Sequence, residues 1–185
     1  MRLSLGFVLQ RRGRIDEAIA MSRLTNATFE RDTNDAVALL PQNRWDVALL
    51  LYRSGRVEES LSEFAKALSI FETRFPADYL MTAMVRRDYG AALVDAGRPA
   101  DGERALRPAI DVLTKRYGTD HVRVDAARIS LGRALAAQGR RDEARRVLED
   151  VVNRLTTTRG ASDSVTRRAR GALDGLERPR AGAGR

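Results

Sequence analysis

The sequence is organised by a Gly-Arg dipeptide that recurs at a constant interval of 42 residues. It stands at Gly13-Arg14, Gly55-Arg56, Gly97-Arg98 and Gly139-Arg140. An interval held over three steps indicates that each dipeptide occupies the same place in a repeating unit, and periods of this size are typical of solenoid proteins. We therefore expect an array of equivalent structural units.

The residues around each glycine recur at helical spacings. A leucine stands four residues before each glycine, and a small residue stands seven residues before it, namely Gly6, Ala48, Gly90 and Gly132. Spacings of three, four and seven place side chains on one helix face, so each unit is predicted to be two amphipathic helices joined at the glycine. Because a helix C-terminus often needs a positive φ, which glycine adopts without steric cost, we assign the four turns to Gly13, Gly55, Gly97 and Gly139.

These columns resemble the tetratricopeptide repeat, in which a large and a small residue precede the turn and a small residue follows it. The period is longer than the usual ~34 residues and is similar to the variant found in kinesin light chains, a likeness that "RYGTDHVRVDAA" strengthens. The resemblance implies an all-α, right-handed superhelical solenoid of about four antiparallel helix pairs with a C-terminal capping helix. Arg44, Arg86 and Arg128 depart from the pattern, because the family often has a large apolar residue there.

The repeats predict one helical domain over residues 1–177. Its units fall at about 1–32, 35–75, 78–117 and 120–159, with a cap at 164–177. Residues 178–185, "RPRAGAGR", contain too few apolar side chains to pack and are predicted to be disordered.

The first helix, about Arg2–Arg12, is shorter than its counterparts and would leave Leu3, Leu5 and Phe7 partly uncovered. Apolar end faces of that kind attract other surfaces. We therefore expect the chain to be the C-terminal part of a longer array, or its N-terminal edge to be covered by another domain or chain. Long-period arrays of this kind resemble those found in larger bacterial signalling proteins such as serine/threonine kinases.

The composition argues against an enzyme. The chain has no cysteine and one histidine, His121, so thiolate and histidine metal sites and a Ser-His-Asp triad are not expected. The sequence contains no phosphate-binding loop, and we expect no cofactor. No apolar run reaches the ~20 residues of a membrane span, so we expect a cytoplasmic protein without a membrane partner.

In the tetratricopeptide family the first helices of the pairs line a concave surface, so the resemblance implies a partner-binding groove. Carried over to this sequence, it consists of Gln10, Arg11, Trp45, Leu49, Tyr52, Arg53, Arg87, Asp95, Ile129, Arg133 and Arg168. Tryptophan, tyrosine and arginine are enriched among interface hot spots, and guanidinium groups bind carboxylates bidentately. We therefore predict a protein or peptide partner, with acidic groups favoured. The alternative is that Trp45 packs against the neighbouring repeat and that the arginines are solvated.

A basic C-terminal third supports a second hypothesis, a helical-repeat protein that binds nucleic acid. The net charge is +8, and residues 138–185 carry 12 arginines against seven acids. Binding of this kind would weaken steeply with salt. However, single-strand binders use aromatic stacking platforms, and residues 138–185 contain no aromatic side chain, which makes this the weaker interpretation.

Overall fold

The computed structural model of the protein describes residues 15–31 and 39–177. These residues form eight α-helices and no strand, which confirms the predicted all-α fold. The helices are α1 (Ile15–Arg31), α2 (Leu40–Arg53), α3 (Val57–Arg74), α4 (Leu80–Asp95), α5 (Pro99–Tyr117), α6 (Val122–Ala137), α7 (Arg141–Arg159) and α8 (Ser164–Glu177). Several predicted features lie outside the described residues: the helix at Arg2–Arg12 with Leu3, Leu5 and Phe7, the groove residues Gln10 and Arg11, the turn at Gly13, and the tail 178–185.

Each Gly-Arg dipeptide in the described residues closes a helix in the same way. Gly55, Gly97 and Gly139 have φ values of 80°, 74° and 83°. The amide of each glycine donates to the carbonyl three residues back, and the amide of the following arginine donates to the carbonyl five residues back. This pair of hydrogen bonds is the Schellman motif, which satisfies carbonyls that the helix end leaves open. The glycine is required because the motif places its residue in the left-handed region.

The small and leucine columns bring the two helices of each pair together. Ala48, Gly90 and Gly132 are buried, as are the leucines three residues after each of them. At Gly132 the contact is so close that an added Cβ would lie 2.6 Å from Cγ of Leu148 on the partner helix. A short side chain at this column therefore sets the distance between the helix axes.

The described residues form two compact units, one ending at Ala92 and the other beginning at Leu93. In the first unit, α2 packs against both α1 and α3, and its core includes Ile19, Val47 and Leu51. In the second unit, α6 packs against α5, α7 and α8, with Leu135 and Leu148 fully buried. Apolar faces that a single helix pair would expose are thus covered by the next helix in the array.

In the described part of the chain, each link between successive helix pairs contains a contact between two residues that are four positions apart, and these two positions recur every 42 residues. The rings of Phe75 and Tyr79 stack with centroids 4.3 Å apart, and those of Tyr117 and His121 stack at 4.4 Å. At the next link, 42 residues on, an ion pair of 3.1 Å between Arg159 and Asp163 takes the place of the rings. The repeat thus keeps the same two positions in contact while the chemistry of the contact changes.

Helix α8 has the composition of a cap. It packs against α6 and α7, and its Ala169 and Leu176 are buried. By the 42-residue register, Asp174 and Glu177 stand in the small and leucine columns that are buried in α2, α4 and α6, and both are exposed here. Charged side chains in these two columns suit a surface that faces water, as expected of a terminal helix in a solenoid.

Candidate partner-binding groove

In the first unit, three predicted groove residues lie together in the last turns of α2. Leu49 and Tyr52 are partly exposed and Arg53 is exposed. Their spacing of three and four residues puts them on one side of the helix. This side carries an aliphatic, an aromatic and a cationic side chain next to one another. We call Leu49, Tyr52 and Arg53 the α2 patch.

Trp45 is placed differently from its neighbours on α2, because only 5% of its surface is exposed. Its indole Nε1–H donates a hydrogen bond of 3.0 Å to Oδ2 of Asp88 on α4. A buried indole usually finds a partner of this kind for its N–H. The side chain therefore links the first helices of two successive pairs, as in the alternative interpretation of the sequence.

The carboxylate of Asp88 also binds Arg87. The guanidinium donates to Oδ1 of Asp88 through Nε at 2.8 Å and lies 2.6 Å from it through Nη2. Asp88 is thus held between an indole and a guanidinium, and the positive charge of Arg87 is compensated within the fold. Asp88 is not among the residues that the repeat pattern predicts for the groove.

In the second unit, Arg133 and Asp95 form an ion pair of 2.6 Å between Nη2 and Oδ1. The two side chains are 45% and 26% exposed, so the pair lies at the surface. Ile129 is only 1% exposed and contributes to the core, whereas Arg168 is exposed on α8. The four predicted groove residues of this unit therefore comprise an internal ion pair of Arg133 with Asp95, one exposed arginine and one core residue.

Comparison of equivalent positions shows that the two units differ in charge at the same place. Arg53 stands 42 residues before Asp95, and Ala91 stands 42 residues before Arg133. In the first unit, Arg53 therefore stands at the position of Asp95, and Ala91 stands at the position of Arg133. Aligning the repeats would have revealed this exchange from the sequence.

The arginine of the Gly-Arg dipeptide has a structural role that sequence reasoning missed. At the three dipeptides in the described residues, the arginine precedes the first residue of the second helix and binds the acid three residues later, as in Arg56–Glu59 at 2.6 Å. Arg56 also lies 2.9 Å from Asp16, which belongs to the preceding second helix. Hydrogen bonds from Arg56 and then Arg23 lower the pKa of Glu59 to about 2, against a weaker opposing effect of burial. The dipeptide Gly55-Arg56 therefore supplies both the turn and a link between repeats.

The same arrangement recurs in the second unit. Arg140 binds Glu143 at 2.7 Å and Glu103, on α5, at 2.7 Å. Burial alone would raise the pKa of Glu103, but hydrogen bonds from Gln138, Arg107 and Arg140 lower it to about 2. One guanidinium can bind two carboxylates because its donors are arranged in a planar fork.

The three arginines that depart from the family pattern each have an acceptor. Arg44 forms a buried ion pair of 2.7 Å with Glu63, whose side chains are 11% and 10% exposed. Arg86 lies 2.7 Å from Glu72, and Arg128 donates to the carbonyl of Thr119 at 3.1 Å. Polar contacts thus replace the apolar packing that the family pattern would supply at these positions.

The described residues contain no cluster of His, Asp or Glu able to hold a metal ion. His121 caps α6, because its Nδ1 accepts a hydrogen bond of 3.1 Å from the amide of Arg123. Nor does any helix in the described part of the chain have the length and hydrophobicity needed to cross a lipid bilayer. What the site offers is a set of side chains suited to contact another molecule.

Comparison with known proteins agrees with this architecture. Two family models, both described as tetratricopeptide repeat, match residues 81–157 and residues 2–23. No curated protein sequence matches the chain.

Solved structures similar to this chain are helical repeat proteins. Two structures of kinesin light chain nearly identical TPR-like repeats from Podosopora anserina have TM-scores of 0.79 and 0.77 at 17% identity, and the matches cover 95% of this chain and 82% and 83% of theirs. BtubC (BKLC) from P. vanneervenii has a TM-score of 0.73 at 16% identity, covering 95% of this chain and 77% of that one. The apo form of RapI has a TM-score of 0.74 at 15% identity, with 95% and 67% covered. These similarities concern the fold.

Proposed function

We propose that this chain, which belongs to the tetratricopeptide repeat family, is a non-catalytic scaffold that binds a partner peptide on the first helices of its repeats. Helical repeat arrays with this fold are typical of protein–protein interaction scaffolds. The absence of cysteine favours a cytoplasmic setting for this interaction.

The α2 patch is the observation that carries the proposal. Leu49 and Tyr52 present apolar and aromatic surface that is partly open to solvent, and Arg53 is exposed beside them. Tyrosine and arginine are among the residue types that contribute most to protein interfaces. A patch of this composition can bury an apolar side chain of a peptide while the guanidinium binds a neighbouring carboxylate.

The preference for an acidic partner follows from which groove arginines are compensated. Arg87 is paired with Asp88 and Arg133 with Asp95, so neither presents its full charge to a ligand. Arg53 is exposed. The residue at the position that pairs with it in the repeat is Ala91, which carries no charge. A carboxylate that approaches the first unit would therefore bind at Arg53, with the bidentate geometry that guanidinium groups favour.

A peptide display library tests this proposal. Peptides selected on the wild-type protein should be enriched in Asp and Glu next to an apolar residue. The selected peptides should bind the Arg53→Glu variant at least about tenfold more weakly, because an attractive charge contact becomes a repulsive one. Affinities can be measured by fluorescence polarisation with the labelled peptides.

The matched control is Arg145→Glu, an identical charge change at an exposed position of the second helix α7. It should leave binding within about twofold, because Arg145 is not part of the α2 patch and exposed charges outside a contact are screened by salt. Equal weakening by both variants would show that binding depends on overall charge. Selection of peptides without acidic residues would show that Arg53 is not an anchor.

A further inference from the structure

The Arg133–Asp95 ion pair distinguishes the second unit from the first. It joins the first helices of two successive pairs, with Arg133 on α6 and Asp95 at the end of α4. The distance of 2.6 Å is that of a strong charge-assisted contact. Nevertheless, the guanidinium is 45% exposed, so a molecule lying on this surface would meet it.

Asp95 occupies the place that a ligand carboxylate would take on Arg133. Its Oδ1 accepts from Nη2, which is one of the donors through which a guanidinium binds an incoming acid. A peptide acid can bind Arg133 only by displacing Asp95 or by sharing the guanidinium with it. In the latter case the two carboxylates would repel each other.

The first unit lacks this internal competitor. Arg53 and Ala91 stand at the positions equivalent to Asp95 and Arg133. An alanine cannot compensate a charge, and an arginine at the position of Asp95 reverses the charge of that site. The same place in the repeat is therefore open to an acid in one unit and already occupied in the other.

We propose that Asp95 is a specificity-determining residue, which blocks Arg133 as a carboxylate-binding site, so that this place in the repeat accepts acidic ligands in the first unit only. The proposal rests on the proposed peptide-binding function. It implies that neutralising Asp95 creates a second acid-binding site without adding any cationic residue.

The test compares binding of a fluorescein-labelled hexaglutamate peptide to the wild type and to Asp95→Asn, with hexaglutamine as the uncharged probe. Fluorescence polarisation at low and at physiological salt gives the affinities. We expect Asp95→Asn to bind hexaglutamate roughly fivefold more tightly, a change corresponding to the upper end measured for exposed ion pairs. In the background of Arg133→Ala, the substitution of Asp95 should have no effect.

Asp111→Asn is the matched control, because Asp111 is exposed on the second helix α5 and the variant has the same net charge. Tighter binding only by Asp95→Asn, abolished by Arg133→Ala, supports the proposal. Equal gains in Asp95→Asn and Asp111→Asn, or a gain that survives loss of Arg133, would overturn it, as would a failure of Asp95→Asn to bind hexaglutamate.

The role of Arg53 is judged separately by the Arg53→Glu variant. Loss of hexaglutamate binding in that variant without any effect of Asp95→Asn supports the proposed function and refutes the role of Asp95. A gain in Asp95→Asn while Arg53→Glu binds normally refutes Arg53 as the anchor and supports the role of Asp95.

Discussion

Alanine substitutions at three glycines of the second unit test the physical account of the repeat, because each glycine is present for a different reason. Gly139 has a φ of +83°, and an added Cβ would meet nothing within 4 Å. Its replacement therefore introduces backbone strain alone. A non-glycine residue in the left-handed region costs about 1–2 kcal/mol, and the reduced entropy of the unfolded chain offsets about 0.4–1 kcal/mol of that. We expect Gly139→Ala to lower the free energy of unfolding by about 1 kcal/mol.

Gly132 and Gly171 provide the two contrasting cases. Gly132 lies in α6 without a positive φ, but its Cβ would be 2.6 Å from Cγ and 2.7 Å from Cδ2 of the buried Leu148. Overpacking of this kind costs about 1–3 kcal/mol, which exceeds the gain in helix propensity of about 1 kcal/mol. Gly171 lies in α8 with open space around a new Cβ. Gly171→Ala should therefore stabilise the protein by about 0.5–1 kcal/mol.

Urea unfolding followed by circular dichroism at the helix band measures all three variants against the wild type. The expected order of unfolding free energies is Gly171→Ala above the wild type, with Gly139→Ala and Gly132→Ala below it. Gly139→Asn should lie between Gly139→Ala and the wild type, because asparagine tolerates the left-handed region better. A Gly139→Ala variant as stable as the wild type would refute the assignment of this glycine to a strained turn.

Two further predictions concern ion pairs. In a urea titration, Arg44→Ala should lower the free energy of unfolding by about 3 kcal/mol, because it leaves the buried carboxylate of Glu63 without its main partner. Arg86→Ala should lower it by less than about 1 kcal/mol, because the partner Glu72 is exposed. The pKa of Glu103 is lowered from 4.5 to about 2 in the folded state, so its stabilising contribution is complete above pH 4.5 and is lost as the pH falls towards 2. Thermal melts should therefore show a lower Tm for Glu103→Gln than for the wild type at pH 7, with the difference shrinking below pH 4.5; a constant difference would contradict the pKa assignment.

The helices and their turns could be predicted because every unit repeats the same local requirements. Leu51, Leu93 and Leu135 fall four residues before a glycine, and all three are buried in the structure. The same packing requirement is thus repeated several times within one sequence. The helix pairs α4–α5 and α6–α7 begin 42 residues apart, at Leu80 and Val122, and end 42 residues apart, at Tyr117 and Arg159.

The side-chain roles in the groove could be predicted only in part. Trp45, Arg87 and Ile129 stand at equivalent positions, 42 residues apart. Two of the three are large and apolar, which indicates a position at least partly buried, and Trp45 and Ile129 are indeed in the core. A family-based assignment of helix faces does not separate exposed from buried positions when they are adjacent around the helix. Comparing the residue types at Trp45, Arg87 and Ile129 does separate buried from exposed positions.

The contacts between repeats could not be predicted, because they depend on which rotamers bring together residues 35 to 43 positions apart, as in Trp45–Asp88 and Arg140–Glu103. Their geometry also explains why arginine suits the position after the turn glycine. Arg140 binds an acid of its own helix and an acid of the preceding second helix with different nitrogens of one fork. A lysine ammonium is a compact point charge that lacks this planar fork. Arg56 and Arg140 are consequently paired within the fold, so the net charge of +8 overstates the positive charge that a ligand would meet. The charge available for binding depends on which exposed arginines lack an acid at the matching position of the next repeat, as Arg53 does.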